Sequence, residues 1–139
     1  MSTRIDAVRK VALASEILGL YARVRRHVRR GDIRDVVASI RSRPARRTQS
    51  FETGSAEAWP TAARLARAVT RTLGALPTET RCLAQSVVLL WLLSRRGIPS
   101  TLVIGAQTSP EFEAHAWIEH AGRPLLSPGS FADGRLVEI

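Results

Sequence analysis

From Cys82 to Leu93 the chain is apolar nearly all the way round, ending in the unbroken run Val87-Val88-Leu89-Leu90-Trp91-Leu92-Leu93. A helix without a polar stripe must be covered on every side by its own protein. That run is far short of the ~20 apolar residues that span a bilayer, so the cover is protein and not lipid. Arg95 and Arg96 in the last turn, Gly97 just past it and Pro99 beyond make a strong C-terminal stop. A chain of 139 residues has room for one domain. The remaining elements therefore pack around this segment.

Their patterning gives the fold class. Leu65, Val69 and Leu73 line one side of a helix over 60–74, with Arg64, Arg67 and Arg71 on another; Gly74 and Pro77 stop it. Thr78 or Thr80 can cap the apolar helix that follows. Beyond Pro99 the period changes to two. Thr101-Leu102-Val103-Ile104 is a β-branched strand, and Glu113 to His120 alternates, with His115, Trp117 and Glu119 on one face and Ala114, Ala116 and Ile118 on the other. Ala121-Gly122 forms a tight turn into Arg123–Ser127, and Leu136–Ile139 adds a last strand. The expected fold class is α+β: a helix bearing Cys82 packed on a small antiparallel sheet, preceded by N-terminal helices.

In those N-terminal helices Ile5, Val8, Ala12, Ile17, Leu20, Tyr21 and Val24 recur close to a 3.6 period over 4–26. Gly31 ends that helix, and Asp32 caps a second, Ile33 to about Arg43, which stops before Pro44. Residues 44–58 lack periodicity and read as a linker. Charge divides the chain in the same place. Of 21 Lys+Arg and 12 Asp+Glu, residues 1–50 hold 13 bases and four acids, so the whole net charge of +9 lies there. The expected organisation is a basic helical region, 1–50, and an α+β domain, 51–139.

Several function classes fall. A uniformly basic nucleic-acid wrapper is excluded by the neutral remainder of the chain. Tyr21 is the only aromatic before Phe51, and no helix-turn-helix or zinc pattern accompanies the arginines, so nucleic acid is not the expected partner. One cysteine makes neither an internal disulfide nor a thiolate zinc cage. Glu16 interrupts the apolar patch from Val11 to Tyr21 and no small-residue cleavage site follows. The expectation is a chain without a signal peptide, soluble and cytoplasmic, with a reduced thiol.

That thiol, Cys82, lies in the first turn of the apolar helix. Unpaired backbone N–H groups and the positive end of the helix dipole stabilise negative charge there, on the sulfur or on a substrate oxyanion. His115 is the only histidine inside a well-patterned strand; His27 sits among arginines, and His120, at the turn, is expected to be exposed. A cysteine at a helix start followed by a strand histidine is the order of papain-like and transglutaminase-like sites.

The words around the two residues are more specific. Arg81-Cys82-Leu83-Ala84-Gln85-Ser86, Leu92-Leu93-Ser94-Arg95-Arg96-Gly97-Ile98-Pro99, Val103-Ile104-Gly105, Ala114-His115-Ala116-Trp117-Ile118-Glu119 and Gly122-Arg123-Pro124-Leu125 occur in order. Over residues 59–127 this string resembles the transglutaminase-like peptidases of lasso-peptide biosynthesis, the B-protein family that removes the leader from the precursor. The resemblance implies Cys82 as nucleophile and His115 as general base, with no metal or cofactor. The family's third member is an aspartate shortly after the Gly-Arg-Pro turn, where this chain has Ser127. Asp133 is taken first as that member, with Ser127 and Glu119 as alternatives. Ala116 faces Ser127 across the hairpin, so the Ser127 hydroxyl is expected to be within reach of His115.

The implied partners are the leader peptide, a separate RiPP recognition element protein and the ATP-dependent lasso cyclase. The arginine-rich helices are expected to dock that recognition protein or acidic parts of the leader, or else form a solvated face. A different class of function stays open: an inactive transglutaminase-like scaffold, or a basic adaptor binding nucleic acid or an acidic partner. Acyl transfer to an amine in place of water uses the same residues.

Overall fold

The computed structural model describes residues 2–44, 58–75, 81–131 and 134–139. Its elements run α1 (Ser2–Val28), α2 (Ile33–Arg41), α3 (Ala58–Gly74), α4 (Arg81–Arg95), β1 (Thr101–Gln107), β2 (Glu113–His120), β3 (Arg123–Pro124) and β4 (Arg135–Glu138). A short 3-10 turn, Gly129–Phe131, separates β3 from β4. This is the expected α+β class. The expected caps Thr78 and Thr80 lie outside the described residues, as do the boundary at residue 50 and nearly all of the 44–58 linker.

Helix α4 is the centre of the molecule, with every residue from Ser86 to Leu93 buried. It stops where the sequence says it must. Gly97 takes φ 68, Gly97 N donates to Ser94 O at 3.1 Å and Ile98 N to Leu93 O at 2.9 Å, a Schellman ending that only a residue free of Cβ strain enters readily. Leu65, Val69 and Leu73 of α3, Ile17, Leu20 and Val24 of α1, and Val36, Val37 and Ile40 of α2 join α4 in one core. Glu16 of α1 pairs with Arg96 at 3.0 Å and Arg95 at 3.5 Å just beyond the core.

The apolar residues of α1 do not keep to one side of the helix: at ~100° per residue Val8 stands opposite Ile17. Ile5 and Val8, expected to lie with Ile17 and Leu20, are 52% and 68% exposed. In α2, Asp32 accepts from Arg34 N at 3.0 Å as the expected N-cap. That helix ends at Arg41, whose guanidinium donates to Ser100 O and Ile139 O, both at 2.8 Å, and ties α2 to the sheet.

The sheet is antiparallel throughout, in the order β3-β2-β1-β4. Ala121 (φ 52) and Gly122 (φ 74) make the two-residue turn whose twist matches the strands it joins. Leu102, Ile104, Ala116 and Ile118 face the helices; Val103 and Trp117 occupy the opposite face, both fully buried. β3 is shorter than the expected Arg123–Ser127, and only Leu125 N continues the ladder, to Ile118 O at 2.8 Å.

His120 is not exposed. It shares the helix-facing side with Ala116 and Ile118 and is 1% exposed. Its Nδ1–H donates to Pro99 O at 2.6 Å, and its ring lies 6.3 Å from that of Trp59, over which Arg123 stacks at 4.1 Å. Strand parity, not nearness to a turn, decides its burial. Among the described residues no helix is long and apolar enough to cross a membrane.

Candidate active site

Chain direction sets Cys82 and His115 toward one end of the helix–sheet pair. His120, the last residue of β2, bonds to Pro99, just past the end of α4. From there back to Cys82 is about 20 Å along the helix, and back to His115 about 17 Å along the strand. Both residues are half-buried. No hydrogen bond joins them among the described residues. Alternation puts His115 on the Trp117 side of the sheet, whereas α4 packs on the Ala116 side.

The imidazole is closely held. His115 Nε2 lies 2.8 Å from Ser127 O. A carbonyl oxygen only accepts, so Nε2 carries the proton and Nδ1 is the basic nitrogen. The ring stacks with Trp117 (6.1 Å between centroids, 23°) and with Phe131 (5.4 Å, 27°). Across the ladder its partner is Gly105, where a Cβ would meet Phe131 O at 2.9 Å and the Trp117 ring at 3.0 Å. The bare backbone at Gly105 leaves room for Phe131 and the Trp117 ring, both of which lie beside the histidine.

Ser127 thus reaches His115 by its main chain. The expected hydroxyl contact is replaced: Ser127 Oγ accepts from Gly129 N at 3.2 Å and starts the 3-10 turn that carries Phe131. Glu119 does not approach His115. It is 7% exposed, accepts from Trp117 Nε1 at 3.0 Å and pairs with Arg135 at 2.7 Å. Arg135 donates to Glu119 and Glu138, and these bonds, the Glu119 one first, hold its pKa above the ordinary value. Asp133 lies outside the described residues. Sequence reasoning missed the Ser127 carbonyl, Phe131 and Gly105. Only the glycine left a signal, a residue without a side chain in a β-branched strand.

Glu119 consequently supports the shelf beneath His115. Glu119→Ala leaves Trp117 Nε1 buried without its acceptor, a loss of about 1–3 kcal/mol. Arg135, with a side chain 41% exposed, adds little to it. Urea denaturation measures the loss, and an unchanged midpoint would show that the Trp117–Glu119 bond contributes nothing.

No curated protein and no solved structure matches the chain. A family model does: residues 12–134, from within α1 to the start of β4, match the transglutaminase-like superfamily, which includes cysteine peptidases. With a cysteine opening the central helix, a histidine on the adjoining strand and nearly the whole chain matched, the protein belongs to the transglutaminase-like superfamily.

Proposed function

We propose that the protein is a cysteine peptidase that removes the leader from a lasso-peptide precursor, working with a separate leader-binding recognition protein. The observation that carries this reading is the His115 ring, fixed by Ser127 O so that Nδ1 is left as a base. Nδ1 takes the proton of the Cys82 thiol as sulfur attacks the scissile carbonyl, and returns it to the departing amine. Backbone N–H groups at the start of α4 stabilise the oxyanion. Water, deprotonated at the same Nδ1, then releases the thioester, and the proton goes back to sulfur.

The aspartate that family members carry after the hairpin is replaced in this scheme by a neutral carbonyl. A neutral orienting group suffices in papain-like sites, where the ring needs its tautomer fixed more than it needs a full counter-charge. Ser127→Ala keeps that carbonyl and loses only the bond from Gly129 N, about 0.5–1.5 kcal/mol of local stability. Its cleavage rate is expected within about threefold of wild type. A loss of two orders of magnitude would return the orienting role to the hydroxyl.

The test of the function is incubation with the cognate precursor and its recognition protein, followed by mass spectrometry. Loss of the leader mass supports the peptidase. The second reading, an inactive scaffold or basic adaptor, draws on the neutral partner of His115 and the arginines of α1. Salt-sensitive DNA binding without cleavage would favour it. A product heavier by an added amine would mark acyl transfer in place of hydrolysis.

A further inference from the structure

Positions on an α-helix advance ~100° per residue. On α1, Ile17, Leu20 and Val24 therefore share one side, and that side is buried in the core. Val8, Ala12, Gly19 and Ala22 share the side roughly opposite, together with the small polar Ser15 and with Ile5 at its edge, and every one of them is exposed. Of the six large apolar side chains left exposed among the described residues, four, Ile5, Val8, Val11 and Leu18, are on α1. The helix thus carries two largely apolar sides, and the fold uses one.

The second side has a definite shape and charge. Val11 and Leu18 stand along one margin of it, and Ile5 and Val8 near its start. Ala12, Ser15, Gly19 and Ala22 make its middle low, and a Cβ added at Gly19 meets nothing within 4 Å. Large side chains of another helix can lie across such a stretch with the two backbones close together. Basic residues close both ends on the same side: Arg4 at one, and Arg26, Arg29 and Arg30 at the other, where they line an open groove with Tyr21 and Ala22. Neither acid of α1 offsets them, since Asp6 lies on the far side and Glu16 is engaged by Arg95 and Arg96.

We infer that this face of α1 docks an acidic amphipathic helix of a partner polypeptide, its large apolar side chains against the low Ala/Ser/Gly floor and its carboxylates at the arginine ends. From Ile5 to Ala22 the face is about 26 Å long, room for nearly five helical turns. A second copy of the chain is disfavoured. Antiparallel pairing sets Arg4 of one α1 against Arg26 and Arg29 of the other, and parallel pairing sets like charges side by side. A bilayer is disfavoured because helices lying in a membrane surface bury bulky Leu, Phe and Trp, whereas the middle of this face is small, carries the Ser15 hydroxyl and has no aromatic. The inference stands apart from the peptidase reading and uses none of its residues.

The probe is a fluorescein-labelled 20-residue helical peptide, with leucine on one face and glutamate at both ends, titrated against the full chain by anisotropy. Saturable binding is expected, at least tenfold tighter than to a scrambled peptide of the same composition. Gly19→Leu fills the floor with a side chain that has room and favours the helix. This variant should melt no lower than wild type and bind the peptide at least tenfold more weakly. No saturable binding, equal binding of the scrambled peptide, or undiminished binding by Gly19→Leu would overturn the inference. So would two other results: tighter binding to phosphatidylglycerol vesicles than to the peptide, or a dimer in light scattering that Gly19→Leu dissolves.

Discussion

Cys82→Ala is expected to abolish leader cleavage while the protein stays folded and keeps its hold on the leader or the recognition partner. Alanine is smaller than the half-buried cysteine and a better helix former, and the bond from Ser86 Oγ to the residue-82 carbonyl, 2.7 Å, belongs to the main chain and survives. What is lost is the only sulfur nucleophile in the chain. Water attacking directly would still find the α4 N–H groups but no activated nucleophile, so the rate should fall by roughly 10⁴-fold or more. Mass spectrometry reads the cleavage, and anisotropy with a labelled leader reads the binding. Cleavage at the wild-type rate by Cys82→Ala would remove Cys82 from the reaction and, with it, the cysteine-peptidase reading.

The helix that carries Cys82 was the most legible part of the sequence, because an apolar segment with an Arg-Arg-Gly-x-Pro ending has few ways to fold. β2 was equally plain: its alternation assigns His115, Trp117 and Glu119 to one face, and the structure has them so. The errors have separate causes. The apolar residues of α1 share no single period: at ~100° per residue Val8 stands opposite Ile17, so Ile17 and Leu20 are buried while Ile5 and Val8 are exposed. His120 was judged by its neighbouring turn, whereas Trp59, some sixty positions away, and Pro99 close over it. The orientation of His115 was illegible for another reason. Comparing Ser127 with an aspartate concerns side chains, and the contact is made by a carbonyl that any residue supplies.

Main-chain anchoring has a consequence for the site. A carboxylate can rotate to follow a histidine that shifts, but the Ser127 carbonyl moves only with its backbone, and that backbone is fixed by the Gly129–Phe131 turn. The position of the imidazole therefore depends on the packing of the turn against the sheet. Phe131 O accepts from Gly134 N at 3.0 Å, and Gly134 O accepts from Ala106 N at 2.9 Å, so the turn is tied to β1 one residue beyond Gly105.

Gly105→Ala tests that dependence. The new methyl would stand 2.9 Å from Phe131 O, 3.0 Å from the Trp117 ring and 3.1 Å from Phe131 Cβ. None of these can yield cheaply. Phe131 O is held by Gly134, and the indole is held by Glu119, itself paired with Arg135. Relief has to come from lifting the turn or tilting the indole, at about 1–3 kcal/mol of stability, and Gly105→Val should cost more. Lifting the turn carries Ser127 O away from Nε2, so cleavage should fall by at least tenfold even where denaturation curves place nearly all of the protein in the folded state. A parallel loss of stability with full activity per folded molecule would mean that His115 keeps its place without this packing. Unchanged stability would mean that Phe131 and Trp117 have room to spare, and the close fit about Gly105 would then have no part in holding the site.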